Sequence, residues 1–570
     1  MTVRDPGYTP RTPGAGGRRP SWLLPAIVGA LVVGIGVGLV ATVFRGQGAS
    51  AGASASPTPG AVAAATATPP RTEAPSADPG ASGEPEPSPG TSASPSPAQL
   101  VETDVAIVPV TNFRSGRTVA RTADVEKIRG GSGTWTQLAL VEADADAILA
   151  ALGVQRDDLG DSLVTLPSAE KLREWLPKHR KALAFLRADD VDESVRTLSW
   201  GSKSLFGVDR VASLDDWPLT ARLLAPADTE PRYRPDTAWT LVAGGDILLD
   251  RGVALAIKAK GVDFPFDGGT VDITGICKDC SPFGWDLPYT DRTGNKGAVR
   301  ALVNGADLAI ANFENPAPDV FRFHGKGTVF TANPAYIKGL RNVGIDWVSL
   351  ANNHIGDAGR AGMLQTIRNV KAQGIAYAGL GKNDKAAHKA AILDAGGVKV
   401  GLLGYDAIAK AYASGPTTPG SARLTAKWLK KDIKAAREAG ADVVIVMPHW
   451  GIEYRSTPFA GQQKLARAAI DAGADMVIGN HAHWAGALEV HDGKPIWYAL
   501  GNFVFDQTWS IPTMEGITLE LTFNGKDLVQ AKMRPHLILD KAQPNFLDPL
   551  GDGKAVLSQI FRASKGLLDW

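Results

Sequence analysis

The chain has 570 residues, with 60 Lys+Arg against 59 Asp+Glu for a formal net charge of +1, and only two cysteines. That length exceeds one ordinary core and predicts two or three folded units with spacers. The neutral balance lacks the basic footprint of nucleic-acid binders, and two thiols exclude both a disulfide framework and a four-cysteine zinc site.

In chain order, residues 1–21 carry Arg4, Arg11, Arg18 and Arg19 and read as a cytoplasmic tail by the positive-inside rule. Trp22 to Phe44 hold no charged side chain; as a helix at ~1.5 Å per residue the run reaches ~35 Å, enough to cross a bilayer. It is expected to be a transmembrane signal anchor, residues 22–44, of a single-pass cell-membrane protein whose later domains are extracytoplasmic. The alternative, a cleaved twin-arginine leader, exports the same residues. Residues 45–99 are almost entirely Ala, Gly, Ser, Pro and Thr, a composition that cannot bury a core and reads as a disordered linker.

Residues 100–235 regain globular patterning, with a strand over Val105–Val110 and helices around Ala143–Leu152 and Ala169–Leu186. They are expected to form a small α/β domain without a His/Asp/Glu cluster. The run from VPVTNFRSG to WPLTARLLAP resembles one lobe of an extracellular solute-binding protein, but carries no binding residue across. A packing or spacer domain, or a ligand sensor, are the alternative readings.

From Trp239 a pattern repeats: an apolar run readable as a buried strand ends in a polar cluster. The six cases are Leu241–Asp246, Ala306–Asn315, Asp346–His354, Ala441–Tyr454, Ala474–Trp484 and Pro495–Gln507. Amphipathic stretches at Asn333–Val343, Met363–Gly374, Ala426–Gly440 and Gln462–Gly473 lie between them, giving the alternation of an α/β sheet, whose site forms beyond the carboxyl ends of its strands. Those ends supply Asp246, Asn312, Glu314, Asn352, Asn353, His354, His449, His481 and His483. Oxygen and imidazole donors suit Mg, Mn, Fe or Zn, and their number suits one or two ions placed to drive phosphoester hydrolysis or transfer. Singly, each has a plain alternative: Asp246 as a turn or cap residue, Asn352-Asn353 as turn chemistry.

The motifs GGD (244–246), NFE (312–314), LANNH (350–354), PHWGIEY (448–454), GNHAHW (479–484) and ALGNFVFDQ (499–507) together resemble the CapA family of poly-γ-glutamate capsule biosynthesis proteins. The resemblance implies a four-layer α-β-β-α sandwich similar to the calcineurin-like metallophosphatases over residues 236–570. It implies divalent-metal ligands at Asp246, Glu314, Asn353, His449, His481 and His483, with His354 as a non-ligand histidine able to act as acid; Asp357, not adjacent to that pair, either orients His354 or begins a turn. Two departures stand out: Asp246 is followed by Ile247-Leu248 where the superfamily has Asp-x-His, and the bridging acid is Glu314.

Strand-end loops offer Asn312, Asn352, Trp450, Glu453, Tyr454, Asn502 and Asp506 as expected substrate contacts. The Pro/Gly-rich segment Gly261–Asn295 reads as a loop carrying Phe264, Phe266, Phe283, Trp285 and Tyr289 as a lid; outside the cell its Cys277 and Cys280 are expected to pair. The expected function is a metal-dependent hydrolase or transferase in capsule, poly-γ-glutamate or other envelope-polymer synthesis. Its expected partners are an anionic polymer or precursor, capsule-synthesis membrane proteins and no nucleic acid. The alternative is a non-catalytic polymer-binding or anchoring factor using the same cleft.

Overall fold

Residues 100–227 and 230–570 are described by a computed structural model. The expected tail, membrane span at 22–44 and linker to residue 99 lie outside the described residues, among which no helix is long and apolar enough to cross a membrane.

Strands β1 (Leu100–Asn112), β2 (Gln137–Val141), β3 (Leu163–Leu166), β4 (Ala182–Arg187), β5 (Val195–Thr197) and β6 (Thr220–Pro226) form a mixed sheet ordered β3-β2-β4-β1-β5, with β6 pairing the first half of β1. The expected helix Ala169–Leu186 is corrected here. It is α-helical only to Trp175, and a short turn through Pro177 separates it from β4. Proline breaks the helical ladder, and the five buried residues Ala182–Leu186 need apolar packing on both faces, which a central strand supplies.

The next strands are β7 (Trp239–Ile247), β8 (Thr270–Cys277), β9 (Leu287–Gly294), β10 (Leu308–Phe313), β11 (Trp347–Ser349) and β12 (Ala376–Ala378). They are followed by β13 (Ala391–Ala395), β14 (Val398–Asp406), β15 (Val443–His449), β16 (Met476–Ile478), β17 (Leu488–His491) and β18 (Lys494–Trp497). Last come β19 (Asn502–Val504), β20 (Glu515–Asn524), β21 (Asp527–Leu539) and β22 (Gln543–Phe546). One sheet runs β9-β8-β22-β21-β20-β7-β10-β11-β12, with β19 beside β7; the other runs β13-β14-β15-β16-β18-β17.

Side-chain alternation stacks the two sheets. Trp239, Leu241 and Ala243 of β7 share one core with Val400 and Leu402 of β14 and Val443, Ile445 and Met447 of β15. The intervening residues face outward: Val242, Ala309 and Val348 pack under the helices Ile337–Val343 and Gly359–Ala372. Val444, Val446 and Val477 pack under the helices Ala426–Glu438 and Ala460–Asp471. The first of that pair starts where Thr425 accepts the Trp428 amide, and it buries Leu429, Ile433 and Ala436, the spacing of an amphipathic face. Helix, sheet, sheet and helix therefore follow in layers.

Two expectations change. The segment Pro495–Gln507, read as one strand end, is two strands: β18 lies in one sheet and β19 in the other, so the chain crosses between sheets at Tyr498–Gly501. The segment Gly261–Asn295 is not a loop, because β8 and β9 pair as an antiparallel hairpin at the edge of the larger sheet. Phe266 is buried in the core beneath it, while Phe283, Trp285 and Tyr289 stay exposed, and Cys277 and Cys280 are joined.

The connection between β5 and β6 is sutured to β20. The amides of Gly207 and Val208 donate to Thr522 Oγ1 at 2.9 Å and Glu520 Oε1 at 2.8 Å. Glu520 is fully buried, with Arg534 2.6 Å away. Burial opposes its ionisation, yet the charges of Lys532 and Arg534 hold it at about 2, below the usual 4.5. A depressed carboxyl contributes stability above its unfolded value, so this contribution is complete above about pH 4.5 and is lost as pH falls toward about 2. Glu520→Gln is expected to cost about 3 kcal/mol at pH 7 and to flatten the acid limb of stability, checked by urea melts across that window.

Candidate metal centre

Asp246 ends β7 on a local irregularity. Ile310 and Asn312 of β10 oppose Ala243 and Asp246, so the β7 side has one residue more than its partner between the two pairs. Such a bulge re-phases the strand and re-aims the side chain after it. Gly244-Gly245 form it for steric reasons: a Cβ on Gly244 would meet the Phe503 ring at 2.5 Å, and one on Gly245 would run into the Gly501 carbonyl oxygen.

β10 delivers Asn312 and Glu314. The Asn312 amide nitrogen donates to Asp246 Oδ1 at 2.7 Å and Glu314 Oε2 at 2.5 Å, and lies 3.3 Å from His449 Nδ1. Asn352, beyond β11, holds Asn312 in turn, donating to its Oδ1 at 3.4 Å and to the Phe313 carbonyl at 2.7 Å.

The second sheet supplies the imidazoles. His449 continues the inward face of Val443, Ile445 and Met447 along β15. Its Nε2 lies 2.8 Å from Asn353 Oδ1, 3.1 Å from His481 Nδ1 and 3.3 Å from Glu314 Oε1. His483 Nδ1 sits 3.5 Å from Asp246 Oδ2 and 2.8 Å from Asn502 Oδ1. His481 and His483 occupy left-handed backbone, φ 92° and 57°, a cost that non-glycine residues bear where surrounding structure imposes it, often at functional sites.

Electrostatics sort the donors. Burial holds His449 down at about 4 and His481 well below its ordinary value, so both rings are neutral lone-pair donors at pH 7. Burial also opposes charge on His483, but the hydrogen bond and charge of Asp246 raise it to about 9. Burial would lift Asp246 too; the hydrogen bond from His483 and the histidine charges pull it below the carboxylate norm. Glu314 goes the other way, raised by burial and by the Asp246 charge.

These residues fit a divalent cation on two structural grounds. Asp246, Glu314 and His449 offer ligand atoms within 4.8 Å of one another, all buried. Glu314 Oε1 is buried with no hydrogen-bond partner, a costly condition for a carboxylate oxygen. His449 Nε2, which can make one hydrogen bond, meanwhile faces three polar atoms within 3.3 Å. The set has more lone pairs than N–H donors to satisfy them and suits a cation centre of higher coordination number.

Of the residues expected near the site, all six metal candidates converge. His354 lies beside them, its charge acting on Glu314 and His481; its Nδ1 is 3.0 Å from Asp357 Oδ2, which also accepts the Phe330 amide at 2.9 Å. Several expected substrate contacts are corrected. Asn312, Asn352 and Asn502 are at most 1% exposed, and their amides are spent on internal hydrogen bonds. Trp450 points to the opposite face, where its indole donates to the Tyr498 carbonyl at 3.0 Å. Asp506 is tied to Arg251 and accepts the Gly252 amide at 2.9 Å. Glu453 is exposed at the rim, acting on His449 and His483 through its charge.

The sequence reading missed Arg251. Its guanidinium, pinned by Asp506, lies 4.9 Å from the Phe330 ring centre, and that ring is 4.4 Å from His354. A lone cation directly after the apolar run Ile247–Leu249 and its Asp250 cap was the available signal. Two expected aromatics join through an unforeseen one: Tyr454 lies 6.1 Å from His483 and 6.3 Å from Trp484, and Trp509 links it at 6.5 Å to Phe283 of the hairpin tip, 5.9 Å further on, forming an aromatic wall.

Residues 240–507 match the family described as Bacterial capsule synthesis protein PGA_cap. The chain is 29% identical over 302 residues to the Capsule biosynthesis protein CapA of Bacillus anthracis, covering 52% of this chain and 65% of that protein. It is 34% identical over 228 residues to the PGA biosynthesis protein CapA of Bacillus subtilis (strain 168), covering 38% and 60%. The chain therefore spans less than two thirds of either relative. Among solved structures, the calcineurin-like phosphoesterase YfkN from Bacillus subtilis aligns at 14% identity and a TM-score of 0.29, over 58% of this chain and 97% of that one.

Proposed function

Because residues 240–507 belong to the bacterial capsule synthesis protein PGA_cap family, we propose that the chain is a membrane-tethered, extracytoplasmic accessory protein of capsule or poly-γ-glutamate synthesis. In this reading its buried donor set binds one or two divalent cations, and the site hydrolyses or transfers a phosphoryl or acyl group of an anionic polymer or its precursor. The observation that carries the reading is the meeting of Asp246 and Glu314 from one sheet with His449 from the other, around an unpartnered carboxylate oxygen. Tethering rests on the uncharged run Trp22–Phe44.

Asp246, Glu314, Asn353, His449, His481 and His483 would hold the cation. When bound, it would polarise a phosphoryl or carbonyl oxygen, making the attached phosphorus or carbon more electrophilic, and would acidify an attacking water or hydroxyl. The chain's own groups do the rest. Asn312 fixes both carboxylates by hydrogen bonds, Asn352 holds Asn312 in place, and Asn502 fixes His483. Asp357 accepts from His354 Nδ1, which sets the tautomer and leaves Nε2 to carry a proton to or from the reacting group. Arg251 supplies a fixed positive charge for an anionic substrate group, and the Tyr454–Trp509 wall gives its carbon skeleton an apolar surface.

His354→Ala is expected to retain full metal content while turnover falls by about 10²–10⁴-fold, with Asp357→Asn losing about tenfold. Loss of metal in His354→Ala would make that residue a ligand instead. The reading itself is tested by metal analysis of the purified chain together with product release from phosphodiester and γ-glutamyl substrates under Mn or Mg. A chain that takes up no divalent cation and releases nothing from either class refutes it.

A further inference from the structure

Away from the metal centre, a cleft of about 780 Å³ opens between the loop after β1 and the helix Gly553–Ala563. Arg114 and Arg180 stand on one side, and Lys554, Arg562 and Lys565 on the other. No carboxylate lines it. In a chain with a formal net charge of only +1, five cations on one cleft is a strong local bias. Arg180, Lys554, Arg562 and Lys565 form no ion pair among the described residues. Arg114 is spent partly on the main-chain oxygens of Leu568 and Trp570, at 2.8 and 3.2 Å, and Asp569 offsets some of its charge. Like charges held together with little counter-charge repel, and an anion in the cleft relieves that repulsion.

The row has a direction. Lys554, Ser558 and Arg562 recur at i, i+4 and i+8, one face of the helix, and Lys565 extends the line just past its end. At ~1.5 Å per residue, Lys554 and Arg562 are ~12 Å apart along the axis. A single phosphate or carboxylate cannot reach both; an extended chain with repeated charges can. Leu557 and Phe561 give the cleft an apolar floor between the cations, which suits a backbone of methylene and amide groups.

We propose that this cleft docks an anionic polymer strand, a polycarboxylate of the poly-γ-glutamate type, at a place separate from the metal centre. The polymer's identity rests on the function proposed above; the extended anionic character rests on the cleft alone. The same helix touches the ligand-bearing loop from another face, where Gln559 donates to the Ala485 carbonyl at 3.1 Å, two residues beyond His483. The cleft thus holds a long substrate or product beside the domain that processes it.

The test is fluorescence anisotropy of labelled poly-γ-glutamate with the full chain, its Lys554→Glu/Arg562→Glu variant, Arg180→Glu and His449→Ala. Both charge-reversed variants change exposed side chains, and thermal melts confirm that they fold. The wild type is expected to bind with an affinity that falls steeply between about 50 and about 300 mM salt. The double variant is expected to lose at least about tenfold and Arg180→Glu several-fold, while His449→Ala binds as the wild type does. Unchanged affinity in the double variant overturns the proposal. So does loss in His449→Ala, which would move the strand to the metal centre, or competition by free glutamate or inorganic phosphate at the concentration of polymer repeat units, which would make the cleft a small-anion site. Preference for polyphosphate overturns the polycarboxylate assignment. Polymer binding through the cleft without metal-dependent turnover would leave the docking site standing and remove the proposed chemistry.

Discussion

His449→Ala is expected to abolish stable uptake of divalent cations, read by plasma emission on dialysed protein. His449 is the one imidazole in the buried three-residue group with Asp246 and Glu314, and its Nε2 is also the point on which Asn353 and His481 converge. Removing it takes away a neutral nitrogen donor and leaves both carboxylates without the ring between the sheets. Losing an outer partner of a metal ligand typically costs ~10–100-fold in affinity, and loss of the central ligand should exceed that. Undiminished metal stoichiometry would place the cation elsewhere and sink the assignment.

Gly245→Ala is expected to destabilise the protein by about 3 kcal/mol or more and to remove metal binding with it. The added methyl would collide with the Gly501 carbonyl, which accepts the Asp246 amide at 3.2 Å, and its neighbours leave little retreat: the Gly501 carbonyl carbon would lie 3.0 Å away and Leu500 Cβ 3.4 Å. Backbone, not a flexible side chain, must move, and the backbone that moves carries Asp246. Gly275→Ala is the control, since its Cβ would meet only the Tyr289 side chain, no nearer than 3.4 Å; it should stay within about 0.5 kcal/mol. Urea midpoints separate the two. Equal midpoints would mean that the bulge tolerates a side chain and that steric exclusion does not explain the two glycines.

The strands that carry the site were legible because they are buried on both faces, so Leu241–Ala243, Leu308–Ala311 and Val443–Met447 appear as unbroken apolar runs followed by glycine or polar residues. Sheet partners were not legible. Nothing in ALGNFVFDQ marks that the chain leaves one sheet and enters the other, because both halves are equally apolar. The hairpin of β8 and β9 was misread as a loop because its glycines, prolines and charged residues resemble turn composition, whereas its two strands pair with each other along their length and β22 joins them only at Thr270. Asn312 and Asn352 look the same in sequence whether an amide meets substrate or braces a carboxylate; only the partner decides. Trp450 could have been placed correctly, since strand alternation with His449 inward puts its neighbour outward.

That same hairpin governs how the larger sheet ends. Its outer strand, Leu287–Gly294, is exposed along most of its length and carries Pro288, Asp291 and Arg292, while the opposite margin is the three-residue strand Ala376–Ala378. Proline withholds an amide, charges resist dehydration, and a short ribbon offers few free backbone groups. Neither border is a template for another copy's strand, so the sheet can grow to ten members without inviting fibrillar self-association.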